Sequence, residues 1–263
     1  MGNRRGVGLV VTLVGVATLI SITGLLVLYL IVAREPPVSS SSTLVMRVGG
    51  ELHEVAPAAV VGQFLEGAGA QTVRGLVENI RKARVDSRIA GLLIVPSTLE
   101  LPFWGKVQEL RDAVLDFKRS GKPTIAFLEY GGDREYYLAT ACDRIFLLPT
   151  AQLEVNGLAS YELFLRGTLD KIGAFPDMMH IGEYKTAPNQ LTEKTFTPAH
   201  REMAESLNHD MFEQIVRDIA TSRRKSEAEV RAMVDEGPFL PEDAVRVGLV
   251  DDLAYEDQID DKV

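Results

Sequence analysis

The sequence has one cysteine, four histidines and fewer basic than acidic residues among its 263 positions. Each scarcity excludes something. Cys142 alone can form no intramolecular disulfide, and zinc sites built from cysteine pairs are ruled out with it. His53, His180, His200 and His209 fall into no HExxH or other metal-ligand spacing. His200 and His209, nine residues apart on one predicted helix, would stand on nearly opposite faces of it. No metal is expected. The 28 Lys and Arg against 37 Asp and Glu give a net charge of −9, which offers nothing to nucleic-acid phosphates. Neither GxxxxGK[ST] nor GxGxxG occurs, so no nucleotide or other cofactor is expected, and the paired glycines of "YGGDREYY" read as a tight turn.

Charge is missing altogether from one stretch. Gly6 to Ala33 is an uninterrupted uncharged run of 28 residues dominated by Val, Leu and Ile. As a helix rising ~1.5 Å per residue it would reach about 42 Å, more than the ~30 Å hydrocarbon thickness of a bilayer. A cleaved signal peptide carries an apolar core of only about 7 to 15 residues. Residues 1–33 therefore read as an uncleaved transmembrane anchor. Arg4 and Arg5 precede the span while Arg34 and Glu35 nearly cancel behind it, which keeps the N-terminus cytoplasmic and puts the rest outside. That remainder, with 26 basic against 37 acidic residues, is repelled by anionic lipid, leaving the anchor alone to hold the protein at the membrane. A truncated protein starting at Leu44 is expected to stay in the supernatant, and the full chain to resist carbonate extraction from membranes.

"REPPVSSSST", residues 34–43, has two prolines, four consecutive serines and no periodicity, and reads as an exposed linker to a folded domain at 44–263. Within that domain short apolar or alternating runs at 44–48, 89–95, 124–130, 144–148 and 176–181 predict strands. Helical stripes lie between them: Val73, Leu76, Val77 and Ile80; Val107, Leu110, Val114 and Phe117; Phe164, Leu165, Leu169 and Ile172. This alternation predicts an α/β domain with a largely parallel sheet. Beyond residue 196 the chain reads as helical. Thr197 is an N-cap with Pro198 behind it, Ser226 and Glu229 form a capping box, Gly237 and Gly248 are stops, and a closing strand follows.

The chemistry-bearing candidate is Lys185. "GEYKTA" followed by "TFTPAHRE" is similar to the lysine segment of the signal peptide peptidase A, or protease IV, family of membrane-anchored bacterial serine proteases. "SGKPTIAFLEYGGDREYYLATACDRIFLLP", residues 120–149, and "EDAVRVGLVDDL" resemble other segments of the same family, in the same order. The resemblance implies a crotonase-like, ClpP-like fold, a Ser/Lys dyad, and substrates that are signal peptides or other hydrophobic peptides. It also implies a homo-oligomer in the bacterial inner membrane with its domain periplasmic. In the long form of the family the first of two repeats supplies the lysine base and the second the serine.

This chain resembles the first repeat, so the resemblance implies Lys185 as base and a serine in a second, C-terminal half. Where short forms begin an SGGYY segment, three residues ahead of Tyr136, this chain has Asp133, with Arg134 and Glu135 in place of the glycines. The turn expected after the strand at 89–95, where an oxyanion-hole amide would lie, is "PSTLELP", without glycine. Both departures imply a half that contributes Lys185 and no nucleophile.

A base must shed its proton, and a lysine of ordinary pKa ~10.4 needs desolvation to do so, here by a partner half closing over Tyr184, Thr186, Ala187 and Pro188. Glu183 is expected to face away from it. Ser97, Ser160 and Thr186 are rival nucleophiles whose plainer readings are a turn, a helix cap and a neighbour of the lysine. A non-catalytic anchored scaffold with the same fold is the alternative. An acyl-CoA enzyme of crotonase type is disfavoured by the extracytoplasmic placement.

Overall fold

The structure, a computed structural model, describes residues 3–32, 38–54, 71–100, 104–259 and 262. It divides into two units, Met1–Ser40 and Ser41–Val263. The first is helix α1 (Asn3–Val32), in which Thr12–Leu30 has a mean hydropathy of 2.3 and no buried side chain. It is long and apolar enough to cross a membrane. Its two threonines near the start of that stretch do not leave hydroxyls unpaired, because Thr12 donates to the Gly8 carbonyl and Thr18 to that of Val14.

The second unit is built on a five-stranded sheet of β1 (Ser42–Gly50), β2 (Ile89–Leu99), β3 (Thr124–Leu128), β5 (Arg144–Leu147) and β7 (Asp252–Leu253). These lie side by side in chain order, and every pairing is parallel. Right-handed crossovers that always step in the same direction leave every connecting helix on one face of the sheet. That face holds the main core. α2 (Val73–Val85) contributes Leu76, Val77 and Ile80, and α3 (Trp104–Lys118) contributes Leu110, Val114 and Phe117, packed on Leu92, Ile94, Ala126, Leu128, Ile145 and Leu147. Alternate residues of the same strands, Leu93, Val95, Ile125, Phe127 and Phe146, point to the other face. Over them lie Ala254, Ile259 of α10 (Glu256–Ile259) and, 5.1 Å from the centre of the Phe146 ring, the Lys262 ammonium.

The α/β class expected from the sequence, a parallel sheet with flanking helices behind one apolar N-terminal helix, is the class observed. Two local expectations fail. Residues 176–181 form no strand, since their large side chains stand in solvent, Met179 and Ile181 each 96% exposed. Gly131 and Gly132 do not make a turn but the short strand β4 (Gly131–Gly132), parallel to β6 (Leu153–Glu154). Both glycines lie in close approach to neighbouring side chains. A Cβ on Gly131 would lie 2.7 Å from Leu153 Cδ1, and one on Gly132 would lie 2.5 Å from a Glu135 carboxylate oxygen.

The C-terminal signals are observed as read. Thr197 caps α7 (Pro198–Arg223), accepting from the His200 N–H, and Ser226 and Glu229 complete a capping box on α8 (Glu227–Glu236). Gly237 caps α8, and Gly248, at φ +77°, lies just beyond α9 (Pro241–Arg246).

Candidate active site

Lys185 lies on an arm, residues 156–197, that carries the two short helices α5 (Arg166–Lys171) and α6 (Asn189–Thr192). The arm runs along the first half of α7. Asn208 of that helix donates to the Leu158 carbonyl and accepts from the Ser160 hydroxyl, Tyr184 donates to Glu202 at 2.8 Å, and the Thr186 hydroxyl points at Met203 Sδ, 3.8 Å away. At its centre the rings of Phe164, Phe196 and His200 meet edge to face, 4.9 to 5.8 Å apart. The helical stripe from Phe164 to Ile172 does form a helix, α5, but with no buried residue.

Lys185 itself is exposed in a tight turn, its N–H donating to the Gly182 carbonyl at 3.3 Å. Among the described residues its ammonium has no hydrogen bond or ion pair. Thr186, the neighbour expected to bond the lysine, is buried and turned instead toward Met203. The ammonium can approach a partner group without first breaking an ion pair among the described residues.

The "DREYY" segment forms α4 (Asp133–Ala139) immediately after β4. Its carboxylates are spoken for by main-chain amides. Asp133 Oδ1 accepts the N–H of Asn156 at 3.1 Å and of Gly157 at 3.2 Å. Burial pushes the Asp133 carboxyl up to about 6, against the opposing pull of those two N–H groups. Glu135, only 5% exposed, accepts the N–H of Leu99 at 2.6 Å, so the amide at the end of β2 is already filled. Arg134 lies over the Trp104 ring, 5.6 Å from its centre. No hydroxyl stands at the start of this helix to act as nucleophile.

The sequence profile of peptidase family S49 matches residues 116–263, which span both "DREYY" and the Lys185 arm. The chain belongs to peptidase family S49. Similar proteins include the chloroplastic serine protease SPPA of Arabidopsis thaliana, 33% identical over 184 residues, covering 70% of this chain and 27% of that protein. Protease 4 of Salmonella typhi is 26% identical over 151 residues, covering 57% and 24%. The chain thus spans about a quarter of the length of these relatives. Among solved structures it is similar to an enoyl-CoA hydratase/isomerase family protein from Silicibacter pomeroyi, at a TM-score of 0.42 and 15% identity, covering 72% of this chain and 67% of that one. That likeness is too distant to bear on chemistry.

The rival nucleophiles of this S49 chain have structural partners. Ser97 lies within β2 rather than in a turn, with its hydroxyl 3.5 Å from the Val48 carbonyl, and Ser160 caps no helix but bonds Asn208. Sequence reading noticed Asp133 and Glu135 only as departures. No local signal marks their use, because the amides that they accept lie 23, 24 and 36 residues away along the chain.

Proposed function

We propose that this S49 chain is the lysine-bearing half of a membrane-anchored serine protease, in which Lys185 is the general base for a serine carried by a second half. The serine hydroxyl gives its proton to the neutral Lys185 amine as its oxygen attacks the peptide carbonyl. The lysine then returns that proton to the leaving amine. Its substrates are signal peptides or other hydrophobic segments released in the membrane, cut on the extracytoplasmic side, and α1 holds the enzyme there. No metal or other cofactor takes part.

The observation that carries the reading is the division of roles along the chain. Lys185 is exposed and unpaired among the described residues, while Asp133, where the resemblance places a serine, is bound to two amides. The arm around Lys185 also supports a partner closing over it. Tyr161 is 93% exposed and Ile172 and Phe175 are each 73% exposed, an apolar surface on the same segment. A second copy of the chain in a homo-oligomer or the serine-bearing half would cover such side chains and exclude water from the lysine.

The full chain on its own is expected neither to hydrolyse peptide esters nor to take up a serine-directed phosphonate. Asp133→Ser is expected not to change this, because Arg134 and Glu135 remain and the Leu99 amide stays occupied by Glu135. Phosphonate found on Ser97, Ser160 or Thr186 would refute the division of roles. The alternative, an anchored scaffold without catalysis, predicts that adding a serine-bearing half gives no Lys185-dependent activity.

A further inference from the structure

The strand pattern at 176–181 finds no partner in the fold. Residues 174–180 are neither helix nor turn, and they lie between Gly173 and Gly182, whose left-handed φ of +69° and +82° redirect the chain at either end. Both ends are pinned. The centre of the Phe175 ring is 4.9 Å from the Arg166 guanidinium carbon, and the Tyr184 hydroxyl donates to Glu202 of α7 at 2.8 Å. Between the pins the main chain is unpaired. Among the described residues, the Gly182 carbonyl is the one backbone group of 176–184 that takes part in a hydrogen bond, accepting from the Lys185 N–H. Every residue from Asp177 to Lys185 is exposed.

We propose that residues 176–181 are a docking strand for an extended apolar peptide, which pairs with them through main-chain hydrogen bonds and supplies the missing neighbour. A strand presents the N–H and C=O of every second residue along one edge and its side chains alternately on two faces. In that form Met179 and Ile181, each 96% exposed, share one face and cover apolar side chains of the peptide. Each main-chain bond replaces one to water and adds little net; burial of the apolar side chains adds the rest. The pins at Phe175 and Tyr184 lower the cost of ordering the segment.

The choice of a peptide rests on the reading of Lys185 as the base of an S49 protease. Ile181 precedes it by four residues, no more than about 13 Å along an extended chain, so a peptide on this strand has bonds near the amine that takes the serine proton. Bilayer hydrocarbon suits the segment poorly, because it offers nothing to the unpaired N–H and C=O groups. A second copy of the segment is the competing partner.

Hydrogen exchange of the amides from Asp177 to Ile181 is followed in the full-length protein in detergent, with a capped decapeptide of alternating leucine and threonine as the probe. Without peptide these amides are expected to exchange near the rates of an unstructured chain. With free peptide at about ten times its Kd, every second amide is expected to slow about tenfold and those between them little. N-methylating alternate amides of the peptide gives two further probes, of which one is expected to lose the effect and the other to keep it. Lys185→Ala is expected to slow as wild type does, so the docking strand and the base can fail independently: Lys185-dependent turnover tests the base, and this exchange pattern tests the strand. Unchanged exchange in about 1 mM peptide, where even a Kd of about 1 mM would halve the rates, would overturn the proposal. So would slowing without the two-residue period, equal behaviour of the two N-methylated peptides, or loss of the effect in Lys185→Ala. Slowing that needs no peptide and grows with protein concentration would overturn it too, and would make a second copy the partner.

Discussion

Replacing Lys185 by alanine, in a complex of this chain with a serine-bearing S49 half, is expected to lower turnover by about 10²- to 10⁴-fold or more, with assembly and peptide binding retained. The magnitude is that of a positioned proton-transfer group, and it grows if serine and lysine act as a unit. Binding is expected to survive because Lys185 makes no hydrogen bond or ion pair among the described residues that its loss would break. Lys185→Arg discriminates further. Arginine keeps the charge and nearly the reach but does not give up its proton near neutral pH, so it would preserve an electrostatic role and still eliminate a general base. Turnover within a few fold of wild type in Lys185→Arg would rule out the proton-transfer role.

Tyr137→Ala is expected to destabilise the domain by about 3–5 kcal/mol, read as a shift of the urea midpoint, a large part of the ~5–15 kcal/mol usual for a domain. Tyr137 is buried at the junction of α3, α4 and α7. Its ring meets Trp104 edge-on at 5.5 Å and underlies Arg111 at 5.0 Å, and its hydroxyl donates to Asp218 at 2.5 Å. Arg111, itself buried, bonds Ser222 at 2.8 Å, so this cluster adds polar contacts to the α7 segment whose Ile215, Val216, Ile219 and Ala220 enter the core. Tyr137→Phe keeps the packing and removes only the hydroxyl. Its cost is expected to be about 1–2 kcal/mol, because Asp218 keeps Arg111 nearby at 3.9 Å. A Tyr137→Phe protein as stable as wild type would mean that the hydroxyl's bond to Asp218 adds nothing net.

Much of this fold was legible because its signals are local. The uncharged run that became α1, the stripe of Leu76, Val77 and Ile80 on α2, and the Thr197 and Ser226 caps all depend on residues within one or two turns of each other. There, backbone sterics and the nearest amide decide the outcome. The short continuous apolar runs of β2 and β3 likewise predicted strands, buried on both faces because successive side chains take opposite sides of the sheet. Lys185 was legible only through resemblance, for nothing in "GEYKTA" distinguishes a base from a solvated surface lysine.

What tertiary structure decided lies where partners are distant in the chain. The apolar residues at 176–181 carry a strand pattern, but among the described residues no strand pairs with them, so a pattern that usually means burial here means exposed surface. Asp133 meets Asn156 and Gly157 across 23 and 24 residues, and Glu135 meets Leu99 across 36. Such pairs form only after β2, β4 and β6 have been brought together by the sheets. From the sequence alone, Asp133 and Glu135 were a missing serine and a missing glycine. The fold makes them ligands for main-chain amides, because a buried N–H left without an acceptor is costly and these two carboxylates are what the chain crossing places within reach.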